Sequence, residues 1–340
     1  MSYTLPEVVT AALLHDIGKF IQRAFATPAA LPWKCYDMES TLCPKDKHQR
    51  YTHRHVIFTS AFFDLMKHKA VRFPRGVDID RVANAAGFHH RPDSSPDPSF
   101  AWMVALADRY SSGMDRRSEE DTPAEGRSRE AHRKIPLRCI FDEVMIHSSL
   151  KPEKQHAYRL TPLDPFSEKT LVPVPWEGEL ESLPGDYARL WAEFEQEYLR
   201  IAQMGETLSP ELFEECLLGL LERFTWAIPS STIDTPDISL FDHMRTTAAI
   251  AACLYRHHES GGELQDAKAV CDERRPKFRF LAGDLSGIQR TLFTLENQGV
   301  KSVNKILRAR SFMLAAIVEA AQAAGVAAKR IGRASCRERV

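Results

Sequence analysis

The sequence predicts a mainly α-helical chain that passes, near its end, into an α+β segment. Apolar residues recur at helical spacing through "VIFTSAFFDLMKH", "VDIDRVANAAGFHH", "SFAWMVALADRYSSGM", "YARLWAEFEQEYLRIAQM" and "PELFEECLLGLLERFTWAI". The alternating, aromatic-rich "FRFLAG" is the first stretch that reads as a strand. The chain is 340 residues long, 44% hydrophobic and 27% charged, an ordinary globular composition with room for more than one core.

The first helix is predicted over Val8 to Ala26. Thr4 and Glu7 form a capping box around Pro6, which the first turn tolerates. His15, Asp16, Lys19 and Arg23 fall on neighbouring turns of one face, and Gly18 leaves room there for close approach. Further helices carry His55 at a helix start, His89 and His90 at the end of "ANAAGFHH", and Asp108 among apolar residues. "RRSEEDTPAEGRSREAHRK" is dense in charge and reads as an exposed linker. Between residues 150 and 186 proline recurs too often for long helices. "SLFDHMRTTAAIAACLYRHH" opens another helix, and "ESGGELQDAKAVCDERRP" looks like a boundary before "FRFLAG".

The bulk numbers exclude several classes. A net charge of −1 leaves no global basic field, so any nucleic-acid contact uses local patches. Seven cysteines are scattered without a C-x-x-C, which argues against a zinc ribbon and for reduced thiols. Cys35 and Cys43 with His48 or His53 remain a minor candidate metal set. No apolar run spans a bilayer and no signal peptide is legible, so a cytoplasmic protein is expected.

The polar residues inside apolar helices carry the chemistry. A buried, unpaired Asp is costly, and a divalent metal is one way to compensate it. Imidazoles with carboxylates suit Mn, Fe, Co, Ni or Zn. Taken singly each residue has a plain structural reading. His55 serves a helix start, one of His89 and His90 faces solvent, and Asp108 pairs with Arg109 or Arg116. Taken together, His15, Asp16, His55, His89, His90 and Asp108 form a candidate metal set.

"LLHDIGKF" resembles the HD phosphohydrolase signature. "HVIFTSAFF", "ADRYSSGMDRR", "FTWAIPSSTIDTPDISLFDHMRTTAAIAACLY" and "AGDLSGIQRTLFTL" with "LRARSFMLAAIVEA" resemble the large subunit of type III CRISPR effector complexes, closest to the III-A branch. The resemblance implies a helical HD nuclease domain at residues 1–115, followed by a charged and Pro-rich linker region at 116–186. A helical region at 187–258 follows, and a ferredoxin-like Palm domain begins at 276–329. The Gly-Gly-Asp-Asp motif of a second Palm is not in the sequence. Residues 331–340, "IGRASCRERV" from residue 331, match the coding sense of a sequencing adapter and are expected to be an artefact.

The helix at His243 has the form His-x-x-x-Thr-x-x-x-Ala, like the first His helix of other HD enzymes. The implied motif order is circularly permuted, with 187–258 completing the HD domain and His243 completing the metal site. The alternative is that Asp242 and His243 cap their helix. The resemblance further implies two divalent ions (Mn, Ni, Co or Mg), with Asp16 bridging them and Lys19 steadying phosphate. The implied reaction is cleavage of single-stranded DNA within a guide-RNA complex activated by target RNA. Asp284 and Ser286 of "GDLSGIQ" are candidate nucleotide contacts, ATP being the substrate from which the complete protein makes cyclic oligoadenylates. A stand-alone HD nucleotide phosphohydrolase and a non-catalytic scaffold subunit are the competing readings.

Overall fold

Thr4 opens the first helix as expected. Its side chain caps the Glu7 amide while the Glu7 carboxylate accepts from the Thr4 amide at 2.6 Å. The computed structural model describes residues 2–33, 38–112, 131–142, 154–177, 182–232, 235–279, 286–293 and 303–329. The helices are α1 (Leu5–Leu14), α2 (Ile17–Phe25), α3 (Glu39–Leu42), α4 (His55–His68), α5 (Ile79–Gly87) and α6 (Pro98–Ser112). They continue with α7 (Glu168–Leu171), α8 (Leu183–Gln203), α9 (Pro210–Thr225) and α10 (Leu240–Gly261). Last come α11 (Ala267–Cys271), α12 (Ile288–Phe293) and α13 (Val303–Lys329).

The predicted first helix is broken in two at His15 and Asp16. Thr59 of α4 explains the break. Its hydroxyl donates to the His15 carbonyl at 2.8 Å and accepts from the Gly18 amide at 3.2 Å, so both groups bond across helices. Gly18 is needed for this approach. A Cβ there would lie 2.1 Å from the His55 carbonyl oxygen and 2.5 Å from the Thr59 nitrogen. The sequence reading of Gly18 as a contact position therefore has a specific partner, the first turn of α4.

One apolar core ties distant segments together. α1 packs against α10, and α10 against α6. α2 lies between α4 and α8, where Phe20 meets Trp191 edge-on at 5.2 Å and Phe62 meets Tyr198 at 5.2 Å. Buried aromatic contacts of this kind add to the plain burial of apolar area. Tyr3 stacks on Phe100 at 4.6 Å and donates its hydroxyl to the Leu264 carbonyl at 2.5 Å. α11 packs on α6, so the stretch read as a boundary belongs to the same core.

The strand content differs from expectation. The described sheet is a two-stranded antiparallel pair in the Pro-rich region, β1 (Gln155–Ala157) with β2 (Val174–Trp176), and His156 pairs with Pro175. Proline is tolerated because the strand has a free edge. Phe278 and Arg279 of "FRFLAG" are irregular, and the rest of that stretch lies outside the described residues. So do Cys35, Arg116, Asp284, most of the charged linker and the tail from residue 330.

Candidate metal centre

The α1–α2 break aims two polar side chains inward. His15 and Asp16 are 0% and 1% exposed, respectively. Asp16 occupies the middle of a crowd. Its Oδ1 lies 3.0 Å from His55 Nε2 and 3.9 Å from His89 Nε2. Its Oδ2 lies 2.6 Å from Lys19 Nζ, 3.2 Å from His243 Nε2 and 3.4 Å from His15 Nε2. Asp108, from α6, reaches His243 Nε2 at 3.1 Å and His15 Nε2 at 3.5 Å. His90 Nε2 lies 3.2 Å from His55 Nε2.

Two sets emerge around Asp16. Ligand atoms of His15, Asp16, Asp108 and His243 lie within 4.8 Å of one another, and so do those of His55, His89 and His90. His243 therefore meets Asp16 in space, across the whole helical part of the chain. It does not cap α10. Ser239 does so, its hydroxyl accepting from the Asp242 amide at 2.9 Å, and His243 sits a turn further in. His89 and His90 follow α5 rather than lying on it; His89 is buried and His90 half-buried. Asp108 does not pair with Arg109, which instead faces Glu273 at 3.6 Å. Cys43 is buried in a small separate cluster with Leu42 and Val56. Ser286, the described member of the second candidate pair, is exposed in the turn before α12.

The imidazoles are oriented from behind. His15 Nδ1 donates to the Ala12 carbonyl at 2.7 Å and His89 Nδ1 to the Ala86 carbonyl at 2.6 Å. The Ser111 hydroxyl donates to the His243 carbonyl at 3.2 Å, which leaves its oxygen to accept from His243 Nδ1 at 3.0 Å. A proton held on Nδ1 leaves Nε2 as the ligating atom. Ser111 and Thr59 brace these residues by hydrogen bonds, and nothing in the sequence singles them out beyond their spacing, three after Asp108 and four after His55.

This arrangement calls for positive charge. The Nε2 atoms of His15, His89 and His243 and both Asp16 oxygens are buried with no aligned hydrogen bond. Imidazole lone pairs facing carboxylates repel unless a proton or a cation sits between them. Burial alone depresses the His15 imidazole, yet Asp16 and Asp108 outweigh it and push it up to about 10. His89 goes the other way, to about 3, through burial and the neighbouring His15. Burial works against ionised Asp16, but Lys19 and His15 hold its carboxyl well below the usual range. Ionised carboxylates that hold a proton on His15 beside the neutral His89 mark a place for positive charge, and a divalent metal that displaced that proton would find a fitting set of imidazoles and carboxylates.

The centre opens into a cavity of about 640 Å³ lined by Lys19, Arg23, Arg54, His90, Asp108 and Ser230 among others. A second cavity of about 1000 Å³ adjoins it, sharing Gln22, Thr52, His53, Arg54 and His132 with the first. His53 lies at the shared wall in left-handed backbone, φ 53°, with its ring 4.0 Å from that of His90.

Residues 5–113 match the HD domain family. Over 335 residues the chain is 30% identical to the "CRISPR system single-strand-specific deoxyribonuclease Cas10/Csm1 (subtype III-A)" of Methanocaldococcus jannaschii, covering 91% of this chain and 36% of that protein. The chain is a homologue of the Cas10/Csm1 proteins. The relative of the same description from Enterococcus italicus is 27% identical over 92% of this chain and 38% of its own length. The chain thus spans about a third of the length of the Cas10/Csm1 relatives it matches. The crystal structure of Csm1 from T. onnurineus matches its fold with a TM-score of 0.53 at 24% identity, over 92% of this chain and 35% of that one. The mainly helical fold beginning with an HD domain, expected from the motifs, is what the Cas10/Csm1 comparison supports. Among the described residues no helix is long and apolar enough to cross a membrane.

Proposed function

We propose that the chain is a metal-dependent nuclease acting on single-stranded DNA, within the large subunit of a type III CRISPR effector complex. The observation that carries this reading is Asp16, a buried carboxylate with imidazoles on both of its oxygens. His15, Asp16, Asp108 and His243 would hold one divalent ion, and His55, His89 and His90 a second, with Asp16 between them. Divalent ions held there supply Lewis acidity toward a phosphodiester and its attacking water. Mn, Ni, Co or Mg are the candidates.

The protein's own groups do the rest. The backbone acceptors of Ala12 and Ala86 and the Ser111 hydroxyl keep the imidazoles turned inward. Lys19 contacts Asp16 in the free protein while lining the cavity. If Asp16 were given over to a metal, Lys19 would be free to meet a phosphate in the cavity it lines. The HD unit comprises residues 1–115 completed by 187–258, since α8 and α10 bury against α2 and α1. Guide RNA and further effector subunits are the proposed partners, and target RNA the activator. ATP binding through Asp284 and Ser286 in a Palm at 276–329, and cyclic oligoadenylate synthesis, are proposed for the complete protein.

The test is cleavage of a labelled single-stranded DNA by the chain with Mn²⁺, beside hydrolysis of nucleoside triphosphates. Cleavage of DNA, abolished in Asp16→Ala, is expected. Undiminished cutting by that variant would refute the site, and triphosphate hydrolysis alone would favour a nucleotide phosphohydrolase.

A further inference from the structure

Arg23 is an arginine the proposed metal chemistry leaves unused. It sits on the last turn of α2, one turn beyond Lys19, and lines the same cavity as Lys19, Asp108 and His243. Its side chain is 4% exposed, and Nη1 is buried without a hydrogen-bond partner. Among the described residues no carboxylate forms an ion pair with it. The Asp16 carboxylate acts on it only at longer range, without an ion pair, and the Tyr187 ring lies 5.9 Å from the guanidinium carbon. That is at the outer limit of a cation–π contact and does not replace a counter-anion.

A guanidinium cannot shed its charge to escape burial, so it is the wrong group to leave unpaired in a core. The helix end that carries it is nevertheless fixed. Arg133 donates from Nε to the Arg23 carbonyl at 2.8 Å and from Nη2 to the Ala24 carbonyl at 3.3 Å, pinning the end of α2 from outside. The planar fork of an arginine matches phosphate oxygens in a two-point contact. Lys19 and Arg23 are four residues apart, a separation of about 6 Å along a helix. Neighbouring phosphates of one strand can therefore be met by the two side chains in turn.

We propose that Arg23 is a substrate-positioning residue that grips the phosphate next to the scissile one in the bound strand. This rests on the nuclease reading for the identity of the strand, but the anion site itself is a property of the cavity. Ser230, also buried, lines the same cavity.

The test separates the two ideas. A fluorescein-labelled oligothymidylate is titrated with the chain in EDTA and followed by anisotropy. Arg23→Gln should weaken binding about tenfold, the value of one charge-assisted contact, and Arg23→Lys should recover part of it. With Mn²⁺ the Arg23→Gln defect should fall mainly on KM, whereas Asp16→Ala loses kcat. Melting of the ligand-free Arg23→Met variant gives a readout that a structural arginine would move the other way. Removal of a buried, unpaired charge should leave its Tm equal to or above that of the parent. Equal oligothymidylate affinity of the parent and Arg23→Gln, binding by neither, or a ligand-free Arg23→Met Tm well below the parent overturns the anchor. Arg23-dependent binding by a chain that cuts no DNA would sustain the anchor and refute the nuclease. Cutting unaffected by Arg23→Gln would do the reverse.

Discussion

Ser111 illustrates how much of the centre depends on side chains that touch no metal. Its hydroxyl is spent on both the carbonyl and the ring of His243. Ser111→Ala should leave the ring free to rotate and lower Mn²⁺ affinity by about tenfold or more, measured by calorimetry on the apo chain, with little change in Tm. Binding as tight as the parent's would mean the ring is oriented by packing alone. Residues of this kind were the least legible part of the site. His15, Asp16, His55, His89, His90 and Asp108 drew notice because charged groups inside apolar helices need compensation. A serine in "ADRYSSGM" needs none, and only three-dimensional placement gives it a partner. His90 is a further case: its half-exposure is invisible in a His-His dipeptide, which does not say which ring turns inward.

At the scale of elements, the decisive feature is the contact of α2 with α4. The sequence read as one continuous helix from Val8 to Ala26 because apolar spacing persists through the break. Periodicity is blind to a single turn whose backbone groups are taken by a threonine on another helix. The capping box of α1 was legible, being local, and so was the demand for a small residue at position 18. Gly18→Ala tests the contact. The new methyl meets backbone, which cannot swing away, so a loss of about 2–3 kcal/mol is expected, read as a lower urea midpoint. Metal binding should weaken with it, because the clash would push His55 away from Asp16. An unchanged midpoint would show that α2 and α4 can separate without cost.

At the scale of the molecule, the core joins α1, α6 and α10, and the proposed metal ligands sit on α4, α6 and α10, in the break after α1 and in the turn after α5. A bound ion is therefore a cross-link between remote segments, and mass action should raise stability in its presence. At a hundredfold excess over its Kd the gain is about 2.7 kcal/mol. Mn²⁺ should raise the Tm of the chain, EDTA should reverse it, and Asp16→Ala should abolish the response; a Tm indifferent to Mn²⁺ would argue against a buried site. The mainly helical class was legible from periodicity, and the approach of α10 to α1 was foreshadowed by the His243 pattern. The sheet was not: β1 and β2 are three residues each, too short for alternation to register. That wide separation between Asp16 and His243 also carries a consequence for the newborn polypeptide. A ribosome adding about 5–20 residues per second makes Asp16 some 10–50 s before His243 leaves it. Until then the growing chain holds only part of the ligand set. The proposed metal centre would therefore be withheld until synthesis has passed α10, and a message broken before that point would yield only part of its ligand set.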